Sequence, residues 1–197
     1  MFDALATPRS GSVVALELLA ERHVKELRAA AADPAMSTWL PVPLHEPRWF
    51  DWWLTDAREA FAARREVTFA TVRAADGVAI GSTRFMELRA RDRSVEIGWT
   101  WLAPSMWRTG ANVEAKLLML GAAFERAGCV RVELKTDARN ARSRGAMAAL
   151  PAQFEGIHRR HKLLLDGTWR DTAWFSVIDR EWPDVRASLQ RRLAARA

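Results

Sequence analysis

The sequence predicts an α/β protein: a single domain in which helices pack on a mixed α+β sheet. Three observations lead there. Segments with apolar residues at helical spacing are interspersed with short runs of strand-like residues along the chain. Two turn signals, Ala75-Asp76-Gly77 and Asp166-Gly167, each join a pair of strand-like runs as a hairpin. The 197 residues, 49% hydrophobic and 27% charged, suffice for one full core, and no repeat or long linker divides them.

The elements follow in chain order. Ser12 to Leu18 alternates and reads as a first strand. Ala20 to Ala32 places Val24, Leu27 and Ala31 on one side and reads as a helix that Pro34 ends. Trp39-Leu40-Pro41-Val42-Pro43 is an irregular loop. Pro47 to Arg65 reads as a second helix, with Pro47 suited to its first turn. Val67 to Val72 and Val78 to Glu87 form the first hairpin, and Val95 to Leu102 is a further strand broken by Pro104. A helix over 113–127, a strand over 130–136 and a short helix over 141–149 come next. Phe154 to Leu165 and Trp169 to Ile178 form the second hairpin, and Arg180 to Ala197 reads as an arginine-rich helix.

Bulk properties narrow the function. The single cysteine, Cys129, excludes an internal disulfide, fits a reducing compartment and reads as a small core residue. No apolar run approaches the ~20 residues that span a bilayer, and the first residues lack a basic-then-apolar leader, so the expected location is the cytosol with no membrane partner. The net charge is +6. Lysine occurs only at 25, 116, 135 and 162, so arginine carries most of it. The arginines are scattered, as on a solvated face, which argues against nucleic acid as the main partner. No metal-ligand spacing is present.

The segment Trp107-Arg108-Thr109-Gly110-Ala111-Asn112 is the most informative. It lies between the apolar run 95–102 and the periodic segment Val113 to Phe124. A short strand-to-helix loop aims several free backbone N–H groups at one spot, where the helix dipole also favours negative charge. The loop points to a phosphorylated cofactor.

Five pieces together resemble the GCN5-related N-acetyltransferases (GNAT), closest to the branch with the ribosomal-protein N-terminal acetyltransferases RimJ and RimL. They are Glu96-Ile97-Gly98-Trp99, Trp107 through Ala115, Asn140-Ala141-Arg142-Ser143, Phe154-Glu155-Gly156 and Asp166 through Thr172. The resemblance spans 78–177 and extends, more weakly, to nearly the whole chain. It implies the GNAT acyl-CoA N-acyltransferase fold, acetyl-CoA as donor and an amine as acceptor. By the same resemblance, Trp101 and Leu102 line the pantetheine, and Trp107, Arg108, Thr109, Gly110, Ala111 and Asn112 hold the pyrophosphate. Asn140 and Ser143 lie near the pantetheine and thioester. The oligomeric state stays open, a homodimer included. The loop departs from the usual pattern: Trp107 stands at the basic position, Arg108 where glycine is common, and Asn112 where a small residue ends the motif. Asn112 is also able to cap the helix.

Amide formation needs an unprotonated amine and a proton for the departing thiolate. An α-amine of pKa ~8 is about a tenth neutral at pH 7, so a modest base suffices. Glu96 is the first candidate, His161 the second and Asp171 the third; each also has a structural reading as a surface, satisfied or ion-paired residue. Many relatives supply the thiolate's proton from a tyrosine. This chain has none. The resemblance offers Ser143 instead, which also reads as a contact in a helix cap. Trp39, Trp49, Trp52 and Trp53 cluster where they would border the acceptor groove, or else pack in the core. The leading reading is an N-acetyltransferase acting on a protein N-terminus or a small amine. A CoA-binding sensor without turnover and an arginine-rich RNA binder are the alternatives.

Overall fold

The computed structural model describes residues 1–195. A short helix α1 (Phe2–Leu5) precedes strands β1 (Arg9–Ser10) and β2 (Val14–Leu18). Helices α2 (Val24–Ala31), α3 (Pro34–Ser37) and α4 (Pro47–Ala62) come next, then the meander β3 (Val67–Arg73), β4 (Ala79–Arg89) and β5 (Ser94–Leu102). Helix α5 (Ala111–Gly121), strand β6 (Arg131–Asp137), helix α6 (Ala141–Ala149), strands β7 (Gln153–Leu163) and β8 (Trp169–Ile178) and helix α7 (Trp182–Ala194) complete the chain. The last two residues of the expected C-terminal helix lie outside the described residues.

Several boundaries differ from the sequence reading for local reasons. Pro34 does not merely stop a helix; it opens α3, with the Asp33 carboxylate accepting the Ala35 N–H as a cap. Helix α5 begins two residues before 113, because Gly110 takes φ 98° at the N-cap. Asn112 is therefore inside the first turn and does not cap it. Beyond Gly121 the helix loosens into a π turn, Ala122–Arg126. Cys129 lies just ahead of β6 and is buried, as a core residue would be.

The sheet order is β1-β2-β3-β4-β5-β6-β8-β7. Among the described residues only β5 and β6 run parallel, because α5 carries the chain back between them. The back face packs on α5 and α7: Val95, Ile97, Val132, Leu134, Phe175 and Val177 meet Ala111, Ala115, Met119 and Trp182. On the front face, α2 to α4 cover the β2–β5 half, where Phe50 and Trp53 pack on Ala70, Val72 and Trp101. The β6–β8–β7 half of that face carries Lys135, Trp174, Thr172 and Arg170 and contributes nothing to this helical core.

Helix α5 is pinned from behind. The buried Glu114 carboxylate accepts the N–H groups of Ser12 (2.8 Å), Val13 (2.6 Å) and Val14 (2.6 Å). A Cβ at Gly11 would fall 2.2 Å from the same carboxylate, so any larger residue would push Glu114 out of these three bonds. These bonds fix the helix whose first turn faces the cavity.

Candidate active site

β5 pairs with β6 only from Ser94 with Arg131 to Ile97 with Leu134. Past that point no ladder pair connects them, and the strands part. A bulge accompanies the divergence. The β4 register slips between Ser82 and Arg84, and Trp99 takes φ 46°. An inserted residue reverses the alternation of side chains. Val95 and Ile97 face the back core before the bulge; after it Thr100 faces α5, while Trp101 turns to the front core.

The opening is the mouth of a cavity of about 790 Å³. One wall is the loop after β5. Its main chain is bent by left-handed residues, Arg108 at φ 64° and Gly110 at φ 98°. The Thr109 hydroxyl donates to Met106 O at 2.8 Å and Trp107 Nε1 to Leu102 O at 3.1 Å, closing the loop on the strand. Trp107 thus takes the basic position of the motif as a structural clamp, with the Arg142 guanidinium over its ring at 3.7 Å. The positive φ at 108 explains why glycine suits that position, although arginine occupies it here. Asn112 lines the cavity with its Oδ1 buried and lacking a protein partner, so it is set to accept from a ligand N–H or, with the amide reversed, to donate.

The opposite wall is α6 and the front of the sheet. Asn140 Oδ1 accepts the Ser143 N–H at 3.0 Å, so Asn140 is the N-cap of α6 and its side chain is engaged. Ser143 and Asn140 both line the cavity. Leu102 and Trp101 both line the cavity and have buried side chains. Trp39 stands at the mouth with the Arg139 guanidinium 5.6 Å from its ring.

Glu96 and His161 reach the same cavity from different strands. Glu96 is paired with Lys135 Nζ at 2.5 Å. Burial pushes its carboxyl above the usual range, against the pull of Lys135. His161 Nδ1 is 3.0 Å from Thr172 Oγ1, and its ring meets Trp174 edge-on at 5.8 Å. Burial and then the cations Lys135 and Lys162 lower its pKa, which favours the neutral imidazole.

Three expected residues lie elsewhere. Asp171 is exposed, is not part of the cavity lining and accepts the Arg160 N–H at 2.7 Å. Trp53 is fully buried against Phe50, Trp101 and the Arg84 guanidinium, a packing position away from any acceptor. Trp49 is half-buried beside Trp52 and does not line the cavity either. The sequence reading also missed residues that do. Lys116 on α5 is buried, its Nζ 2.6 Å from Thr100 Oγ1, and burial brings its pKa down to about 7. Lys162 and Arg170, read only as parts of a charged strand and a turn motif, line the front of the cavity.

Residues 14–152 match the family model of the acetyltransferase (GNAT) domain. A GCN5-related N-acetyltransferase from Brucella melitensis is 32% identical, with 94% of this chain and 85% of that one aligned at a TM-score of 0.87. Mycobacterium smegmatis RimJ, solved in complex with CoA-disulfide, is 23% identical over 96% of this chain and 92% of its own, at a TM-score of 0.77. The ribosomal-protein-S5-alanine acetyltransferase from Vibrio fischeri is 17% identical over 89% of this chain and 98% of its own, at 0.72. These last two share the fold. A search of curated proteins finds no match. The match over most of the chain, together with the Brucella likeness, settles the kinship: the protein belongs to the GNAT family of acetyl-CoA-dependent N-acetyltransferases.

Proposed function

We propose that this enzyme acetylates a primary amine, either the α-amine of a protein N-terminus, in the manner of RimJ and RimL, or a small-molecule amine, and that it works in the cytosol. The observation that carries the reading is one cavity that runs from the left-handed turn at Gly110 to the His161–Thr172 and Glu96–Lys135 pairs. Acetyl-CoA supplies an activated acetyl thioester. Main-chain N–H groups of 108 to 112 would hold its pyrophosphate, Asn112 and the open edge of β5 its pantetheine arm.

His161 is the better base of the two candidates. Its environment favours the neutral imidazole, and Thr172 orients the ring. An α-amine of pKa ~8 is already about a tenth neutral at pH 7, so a modest base suffices to take its proton. Glu96, tied to Lys135, orients the acceptor and completes the charge balance of the chamber. The Ser143 hydroxyl, or the Lys116 ammonium beneath Thr100, gives the thiolate its proton. A thiol of pKa ~8.5 needs little help to leave, so positioning carries much of the rate.

The test is thiol release from acetyl-CoA by purified protein with a panel of peptide N-termini and small amines. Steady release with an acceptor is expected. Tight CoA binding with no turnover on any acceptor would instead mark a sensor, and salt-dependent RNA binding without CoA affinity would mark an RNA binder.

A further inference from the structure

The front face of the sheet pairs its charges at one end and leaves them unpaired at the other. Far from the cavity, Arg131 donates to Glu133 at 3.1 Å and to Glu155 at 2.6 Å, and Arg89 lies 3.2 Å from Glu133. Nearer, Lys135 holds Glu96. At the cavity the pattern breaks. Lys162 and Arg170 sit directly opposite each other in the β7–β8 ladder, and both line the cavity. Like charges directly opposite on neighbouring strands repel.

No carboxylate among the described residues comes within ion-pair distance of either cation. The two carboxylates whose fields reach Arg170 are Asp137 and Glu96. Both are already taken, Asp137 by Arg139 at 2.8 Å and Glu96 by Lys135. Arg170 is 8% exposed, and its Nε is buried without a partner. A buried guanidinium with an idle N–H beside a second cation is costly unless an anion completes it. The planar fork of arginine suits a carboxylate or a phosphate. Both cations stand on the face of Glu96, Lys135 and Thr172, opposite the face on which α5 packs. The loop that would hold the donor's phosphates belongs to α5.

We propose that Arg170 and Lys162 form an anion-binding subsite on the acceptor side of the cavity, so that the amine this enzyme acetylates also carries a carboxylate or a phosphate. The inference rests on the acetyltransferase reading of the same cavity. It selects among amines: amino acids, amino-phosphates and N-termini with an acidic residue are favoured over plain alkylamines.

Matched acceptor pairs test it. β-Alanine is set against propylamine, O-phosphoethanolamine against ethanolamine, and Asp-Ala-amide against Asn-Ala-amide. The first two pairs report a small acceptor and the third a peptide. The charged member of at least one pair should have a kcat/KM about tenfold or more above its neutral partner, mainly through KM, as one charge-assisted contact gives. Arg170→Gln and, separately, Lys162→Met should each shrink that ratio several-fold, with CoA affinity by calorimetry within about twofold of wild type. Lys162 is exposed, so its variant answers the question even where Arg170→Gln fails to fold. If no member turns over, calorimetric titration of the CoA-loaded protein with the same pairs decides the matter by the same ratio. Equal use or equal binding in every pair overturns the subsite while leaving the acetyltransferase intact. A loss of CoA affinity in the variants also overturns it, by giving the cations to the donor's phosphates. Failure of the wild-type protein to bind CoA removes both readings.

Discussion

The two sides of the sheet build their halves of the site from different materials. The side proposed for the donor, where α5 begins, is made of main chain: a left-handed glycine, the unpaired edge of β5 and the first turn of a helix. The side proposed for the acceptor is made of side chains brought from β5, β6, β7 and β8: Glu96, Lys135, His161, Lys162 and Arg170. Backbone sites tolerate changes of side chain. Trp107 and Arg108 depart from the usual motif without closing the cavity, since one clamps the strand and the other accepts a strained φ. Side-chain sites have no such tolerance, because each group's protonation depends on its neighbours.

That contrast is broken most severely at Gly110. Gly110→Val puts a β-branched residue at φ 98°. It should weaken CoA binding by about a hundredfold or more while the protein still melts cooperatively, as calorimetric titration and thermal melting would show. Across the sheet, His161→Ala should lower kcat about a hundredfold with little change in CoA affinity. The wild-type pH–rate profile should fall on an acid limb below pH ~6.5, because the imidazole's pKa is depressed, and the variant should lack that limb. A profile with the same limb in both would remove His161 as base.

Lys116 is the exception on the donor side, a buried side-chain charge. Its pKa is about 7 in the fold against 10.5 as the ordinary value. Between those values the unfolded chain binds more protons, so stability should rise with pH across that window and the penalty is full below pH 7. Lys116→Met should therefore stabilise the protein by about 3 kcal/mol at pH 6, with the gain fading towards pH 10 in denaturant melts. A gain independent of pH would contradict the buried cation. The smallest effect is expected at Arg108. Arg108→Gly relieves a left-handed residue and should change CoA affinity by less than about tenfold, because main-chain N–H groups do most of the holding.

The same contrast explains what could be read from the sequence. The donor half was legible because a strand, a short loop with Gly110 and an apolar helix follow one another within a few residues. So were the two hairpins, whose Asp-Gly turns are local signals. The acceptor half was only partly visible. Glu96 and His161 were found as single candidates, but their partners Lys135 and Thr172 depend on the order β5-β6-β8-β7, which no local pattern states. Asp171, the third candidate, lies outside the cavity lining because β7 bulges between His158 and Lys162, and the Arg160 N–H that it accepts turns up only in the fold. The tryptophans had two readings, groove or core, and only the fold separates them: Trp39 lines the cavity and Trp53 packs in the core. Helix α4 buries Trp53 and leaves Trp52 exposed, while the bulge at Trp99 sends Trp101 into the front core. An inserted residue in a strand leaves no mark in composition or periodicity.

The central claim is that the bend after β5 grips a diphosphate through main-chain nitrogens. Calorimetric titration of the wild-type enzyme with CoA and with pantetheine, which lacks the diphosphate and the nucleotide, tests it most directly. CoA should bind about a hundredfold or more tighter than pantetheine. Equal affinities would contradict the account.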